Sequence, residues 1–335
     1  MGMTSRERVL TALKRGQPDR VPWTESYVHD DLASALLGRP VKAPTGARIA
    51  PEVLDILPID NITYNLRPPD YAQRTYSARQ DYVGDGMIKT WDDLKMVKLP
   101  NPDDEKLYEP VYEYLKKYKG NRAAIVNTRF GVANTYLSMG IQTFSYALYD
   151  DPKLVETLMD MFTEWSVGLM KHINKLGFDS AIIADDLAMK NGPLFSPTVV
   201  REIFLPRMRR VAEAIKIPWV YHSDGNFMPI LDDLLTLGMN GIANLEPGAM
   251  DIAQLKKQYG HRVCLIGNID LHYTLTLGTP EETEKEVKER ILTVGPGGGY
   301  ILASANGLTN YCKPENVLAM GRALEKYGYY PLPKA

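Results

Sequence analysis

The segment Tyr221-His222-Ser223-Asp224-Gly225-Asn226 carries the densest chemistry in the chain. His222 and Asp224 stand two apart, so on an extended backbone their side chains point to the same side. An imidazole beside a carboxylate can do three things. With further carboxylates it can hold a divalent ion, zinc included. Without metal it can form a hydrogen-bonded network in which the acids orient the ring. Or it can work as an acid–base pair near neutral pH. The residues alone leave all three open.

These groups need elements to bring them together. Eight short apolar or β-branched runs recur along the chain: 21–25, 61–64, 123–127, 180–184, 219–221, 241–245, 263–266 and 300–303. They are near-continuously apolar, as expected of parallel strands covered on both faces. Helical stretches separate them. Thr4 or Ser5 caps the first helix, which Gly16 and Pro18 end. Asp151-Pro152 starts a helix whose Met159, Phe162 and Trp165 are expected to pack on the sheet. Ser196-Pro197 and Pro280-Glu281-Glu282 start two more. This alternation predicts a single (β/α)8 TIM-type barrel over residues 1–335, with a doubly wound sheet as the alternative. The proline- and tyrosine-rich stretch 38–118 is expected as an inserted lid or arm.

In a barrel the C-terminal strand ends converge on one mouth. Those ends read Glu25, Asn65, Asn127 with Arg129, Asp185 with Asp186, His222 with Asp224, Glu246, Asn268 with Asp270, and Asn306. Nearly every run closes on a polar or ionisable group, and this concentration predicts the active site. Asp186 and Glu246 are expected from the strands on either side of His222. Glu25 joins His222 and Asp224 as a candidate catalytic group. The glycine run 295–299 lacks the Lys-Ser/Thr of a phosphate loop and is read as a tight turn. His272 is a candidate for the pocket border, whereas Cys312 has no evident base.

The 335 residues carry a formal net charge of -2, unlike the basic domains that bind nucleic acid. Two distant cysteines, no signal-like start and no long apolar run predict a cytoplasmic protein without membrane spans.

Several segments together resemble the uroporphyrinogen decarboxylase superfamily. They are Thr4–Val9 with Pro18-Asp19-Arg20-Val21-Pro22, Tyr221–Asn226, Asn244-Leu245-Glu246-Pro247, Leu265–Asp270 and Pro314-Glu315-Asn316-Val317. The resemblance implies a distorted barrel and one of two activities: porphyrinogen decarboxylation, or methyl transfer with a corrinoid protein. The decarboxylases place arginines after the first strand. Here that place reads Trp23 to Asp31 with no Arg, and its acids are expected to repel a polycarboxylate.

Thiol-methylating relatives hold zinc through His-x-Cys and a later Cys. Here those positions are His222, Asp224 and Asn306. Oxygen in place of sulfur makes a harder, more Lewis-acidic site, suited to polarising an ether oxygen. The resemblance therefore points to the branch that demethylates methyl ethers, above all aryl ones, onto cobalamin carried by a partner protein. It implies zinc on His222 and Asp186. The middle acid of that branch falls on Arg201, so Glu246 is the expected substitute, with Asp224 as ligand or proton donor. Trp23, Tyr27, Tyr64, Asn65, Asn127, Arg129 and Asn306 are the expected substrate-binding residues. Arg129 or Arg67 would pair with a ring carboxylate. A methylcobalamin-to-thiol transferase and a metal-free decarboxylase are the alternative readings, and a homodimer is left open.

Overall fold

A computed structural model describes residues 2–77 and 80–333. Seven parallel strands pair strictly in chain order. They are β1 (Asn61–Asn65), β2 (Ala123–Thr128), β3 (Ser180–Ala184), β4 (Trp219–His222), β5 (Gly241–Ala243), β6 (Cys264–Ile266) and β7 (Tyr300–Ile301). The sheet curls, with helices between successive strands, in a form compatible with a TIM-type barrel.

The run expected as the first strand, 21–25, is not a regular strand, and Pro22 gives the reason: it has no N–H to offer a ladder. The segment is pinned between the two edge strands instead. Pro22 O accepts from Leu302 N–H at 2.8 Å, and Thr24 N–H donates to Leu302 O at 3.0 Å. On the other side Asp60 N–H donates to Trp23 O at 2.8 Å, and Glu25 N–H donates to the Asn61 side-chain oxygen at 3.0 Å. An asparagine side chain thus replaces a backbone partner at this seam.

Strand side chains divide by parity. Ala123, Ile125, Ile182, Ala184, Val220, Ile266 and Ala303 fill the concave side and meet Val9, Ala12 and Leu13 of the helix Ser5–Leu13. The alternate residues, among them Val126, Ile183, Trp219 and Tyr221, pack outward under the helices. The first helix is fixed by a capping box in which Thr4 and Glu7 bond each other's backbone N–H. Asp151 caps the long helix Pro152–Ile173, and Met159, Phe162 and Trp165 are buried in the core as expected.

The N-terminal side of the sheet carries a network of buried ions. Asp60, 1% exposed, accepts from Arg8 at 2.9 Å, from Arg20 at 2.8 Å and from Trp23 N–H at 2.9 Å. Asp19 takes Arg8 from the other direction at 2.7 Å. The Pro18–Pro22 motif is therefore a clamp that ties the seam segment to the first helix.

Within 38–118, Ala72–Ser77 pairs antiparallel with Gln80–Gly86, and Tyr76 and Tyr82 are exposed. The glycine run at 295–299 is a tight turn: Gly298 has φ +78, and a Cβ there would meet Gly16 O at 2.1 Å. Among the described residues no helix is long and apolar enough to cross a membrane.

Candidate active site

Val220 faces the concave side, so parity sends His222 there too, while Tyr221 points outward and bonds Asp185 O at 2.8 Å. On β3 the same parity separates two adjacent acids. Asp185 follows the outward set: it is fully buried and accepts from Phe130 N–H and Ala133 N–H, each at 3.1 Å. Burial pushes its carboxyl up to about 6, against the pull of Arg129. Asp186 follows Ala184 inward and reaches the mouth.

There Asp186, His222 and Asp224 come together, with one ligand atom from each lying within 4.8 Å of the others. His222 Nε2 is 3.5 Å from Asp186 Oδ1 and 4.0 Å from Asp224 Oδ1. Asp224 N–H donates to Asp186 Oδ1 at 3.1 Å. The Asn306 amide donates to both Asp224 oxygens, at 2.9 and 3.1 Å. Burial, helped by the nearby Asp186 and Glu246 charges, holds the Asp224 carboxyl above the usual carboxylate range despite the opposing pull of His222 and Asn306.

Gly225 makes this turn feasible. Its φ is +75, and a Cβ would strike the Met189 carbonyl carbon at 2.5 Å. The loop after β4 lies directly against the backbone of the loop after β3, which keeps Asp224 near Asp186.

Two carboxylates and an imidazole suit zinc or a similar divalent ion. Tetrahedral sites with bonds of about 2.0–2.2 Å need donor atoms roughly 3.3–3.6 Å apart, so the trio is near that spacing. Three protein ligands also leave a position open, as catalytic sites do. The donor set fits a metal.

The trio opens on a cavity of about 170 Å³. Its lining includes Asn127, Arg129 and Asn306, as expected, and also Ser26, Arg48, Arg67 and Asn244. Among the described residues, apolar contact comes from Ile182, Ala184 and Ala243. Three arginines thus line the cavity along with the trio.

Other expected residues lie elsewhere. Glu25 is sealed off the cavity: its carboxylate takes Trp23 Nε1–H at 2.8 Å, Ser304 N–H at 2.9 Å and Ser304 Oγ–H at 2.7 Å. Burial pushes it up to about 7. Trp23 and Tyr64 are buried in the outer core, and Asn65 is not among the lining residues. Tyr27 lies beneath Arg48, whose guanidinium is 5.0 Å from its ring, and is likewise outside the lining. No aromatic cage surrounds the cavity among the described residues.

Glu246 is not in the ligand trio. It accepts Gly225 N–H at 3.2 Å and stands 3.8 Å from the exposed His272. Parity gives the reason: Ala243 lines the cavity, so an unbroken strand would turn Glu246 outward, and the positive φ of Asn244 (+58) brings it only as far as Gly225. Asp224 fills the expected third place instead. Arg201 pairs with Asp233 at 2.8 Å on the outside and offers the mouth nothing. Cys312 is buried with its thiol pushed up by burial, in keeping with no nucleophilic role.

The sequence model described as uroporphyrinogen decarboxylase (URO-D) matches residues 82–327. The chain belongs to the URO-D family. Methylcobamide:CoM methyltransferase MtaA of Methanosarcina barkeri is 29% identical to this family member over 174 residues, 52% of this chain and 49% of that protein. The chain therefore spans about half the length of the MtaA relatives it matches. Uroporphyrinogen decarboxylase of Shewanella loihica is 24% identical over 257 residues, 71% of this chain and 69% of that one. A solved methyltransferase from Methanosarcina mazei superposes with a TM-score of 0.76 at 21% identity, covering 97% of this chain and 99% of that chain. That likeness shows the fold of this URO-D member.

Proposed function

We propose that this protein is a corrinoid-dependent methyltransferase of the URO-D family, taking a methyl group from a small methyl ether to a partner corrinoid protein. The observation that carries the reading is the oxygen-rich trio, Asp186, His222 and Asp224, at the head of a small cavity. A cavity of about 150 Å³ takes one benzene. About 170 Å³ suits a single ring or a short chain, so a one-ring aryl methyl ether falls within its reach and a tetrapyrrole does not.

Asp186, His222 and Asp224 would hold zinc, and the ion would supply Lewis acidity toward the ether oxygen. The chain's own groups do the rest. Asn306 fixes both oxygens of Asp224, and the backbone of Asp224 fixes Asp186. Ile182, Ala184 and Ala243 give the methylated end an apolar seat that limits water. The C–O bond breaks with its electron pair staying on oxygen, which then takes a proton, while the methyl group would pass to the partner protein's reduced corrinoid, whose electron pair would make the new bond.

The small cavity, rather than the acids at Asp30 and Asp31, argues against a porphyrinogen. Those two residues open the helix Asp30–Leu37 and do not line the site. Similarity to MtaA favours a second reading, transfer from a methylated corrinoid to a thiol.

The test mixes zinc-loaded protein with a reduced corrinoid protein and a panel of methoxyarenes, methanol, methylamines and thioethers. Loss of the cob(I)alamin spectrum with a methyl ether is expected. Turnover only from methylated corrinoid to thiol establishes the second reading. Release of CO₂ from a carboxylated substrate without corrinoid overturns both.

A further inference from the structure

Arg48, Arg67 and Arg129 come from three separate places: the stretch before β1, the end of β1 and the end of β2. They nevertheless line one cavity. Two of them are anchored through Nε. Arg48 Nε donates to Ser26 O at 2.8 Å, and Arg67 Nε donates to Asn127 Oδ1 at 2.7 Å. Arg129 Nε is buried without a hydrogen-bond partner.

Counter-charge is scarce. Among the described residues, the carboxylate at ion-pair distance from these three arginines is Asp70, 3.8 Å from Arg129, and Asp70 is also bonded by Arg74. Asp186 and Asp224 belong to the ligand trio. Burial disfavours the charge on Arg67, and the guanidiniums of Arg129 and Arg48 disfavour it further, against a smaller pull from Asp186 and Asp185. Arginine stays protonated regardless. Three partly buried cations therefore line one cavity, and of these Arg129 has an ion-pair partner among the described residues, a costly arrangement unless a ligand completes it.

We propose that this set of arginines is an oxyanion subsite, so that the methyl donor carries a carboxylate or similar oxyanion at the end opposite its methyl group. The proposal rests on the functional reading above for the word donor alone. The subsite itself follows from the guanidiniums, whose planar forks match oxyanions in geometry and charge. An anion held there spans the cavity, with its far end toward Asp186, His222 and Asp224. Direction of binding would then decide which methyl group reaches the trio.

The test is calorimetric titration of zinc-loaded protein, without corrinoid, using matched pairs: 4-methoxybenzoate against 4-methoxybenzamide, and methoxyacetate against methoxyacetamide. At least one anion is expected to bind about tenfold or more tighter than its amide. Arg67→Met and Arg129→Met should each remove most of that preference, and Arg67→Lys should keep part of it. Anions that bind no better than amides, or not at all, overturn the subsite. So does a preference that survives both Met variants. The two proposals fail separately. Anion binding without methyl transfer sinks the reaction and keeps the subsite, whereas transfer from neutral donors alone does the reverse.

Discussion

The two ends of the sheet handle charge in opposite ways. At the N-terminal end, Arg8, Arg20, Asp19 and Asp60 answer one another, and Asp60 also takes a backbone N–H. At the mouth, charges are sorted by sign. Two acids and an imidazole form one cluster, and three guanidiniums line the same cavity without an ion pair to it among the described residues. A closed network stabilises one conformation of the chain. An open one is completed by something from outside, and so the contrast separates structure from function with the same residue types.

Breaking the closed network should cost the most stability. Asp60→Ala leaves Arg8 and Arg20 without their shared acid, and removal of one partner from a buried pair costs about 3–5 kcal/mol. Urea unfolding would report it, while kcat at a permissive temperature should change little because the mouth is untouched. A loss under about 1 kcal/mol would mean that this end is no better closed than a surface pair. Breaking the open network should do the reverse. His222→Ala is expected to lower methyl transfer by more than about 100-fold and to abolish stoichiometric zinc, with a melting temperature close to wild type. A metal-free His222→Ala enzyme that retains activity would remove the Lewis-acid role.

This contrast was half visible in the sequence. The apolar runs located all seven strands, and the two-residue spacing of His222 and Asp224 correctly put both at one mouth. Parity was the unused signal. With His222 inward, Tyr221 and Trp219 must face the helices, and with Ala184 inward, Asp185 must be buried while Asp186 is not. The same count from Ala243 turns Glu246 away from the mouth, and the positive φ of Asn244 then brings it to Gly225 rather than into the trio. Arg48 was invisible for a different reason. It lies in an irregular stretch and is placed by long-range backbone bonds, Arg48 N–H to Thr63 O and Val28 N–H to Arg48 O, both at 3.0 Å. No local periodicity encodes them.

Glu25 sharpens the comparison, since it was expected at the mouth and belongs to the seam. Its folded value of about 7 lies above the ordinary 4.5 of a glutamate, so between these the native state holds a proton that the unfolded chain has released. The neutral form fits the fold at low pH, and the cost of the buried charge grows as pH rises from 4.5 through 7. Glu25→Gln keeps one oxygen to accept from Trp23 Nε1–H and Ser304 N–H, donates its amide to the Ser304 hydroxyl instead of accepting from it, and cannot ionise. Relative to wild type, the variant should gain up to about 3 kcal/mol between pH 5 and pH 8. Parallel stability–pH curves for the two proteins would show that Glu25 is not protonated in the fold.

Asn306 gives the smallest effect and the finest cut. Its amide is the side-chain donor that holds both Asp224 oxygens, and its backbone oxygen separately accepts from Ser26 at 2.8 Å and Asn244 at 3.1 Å. Asn306→Ala removes the first contact and keeps the second pair, so the loop after β7 should hold its path. Asp224 then gains rotamer freedom that zinc binding must take away again. Losing such a supporting hydrogen bond costs about 10-fold in metal affinity, at the lower end because the group is exposed. Chelator competition would measure it, with the melting temperature as control. An unchanged affinity would mean that Asp224 is positioned by its own backbone bond to Asp186, and that the mouth is more closed at this cluster than at the guanidiniums.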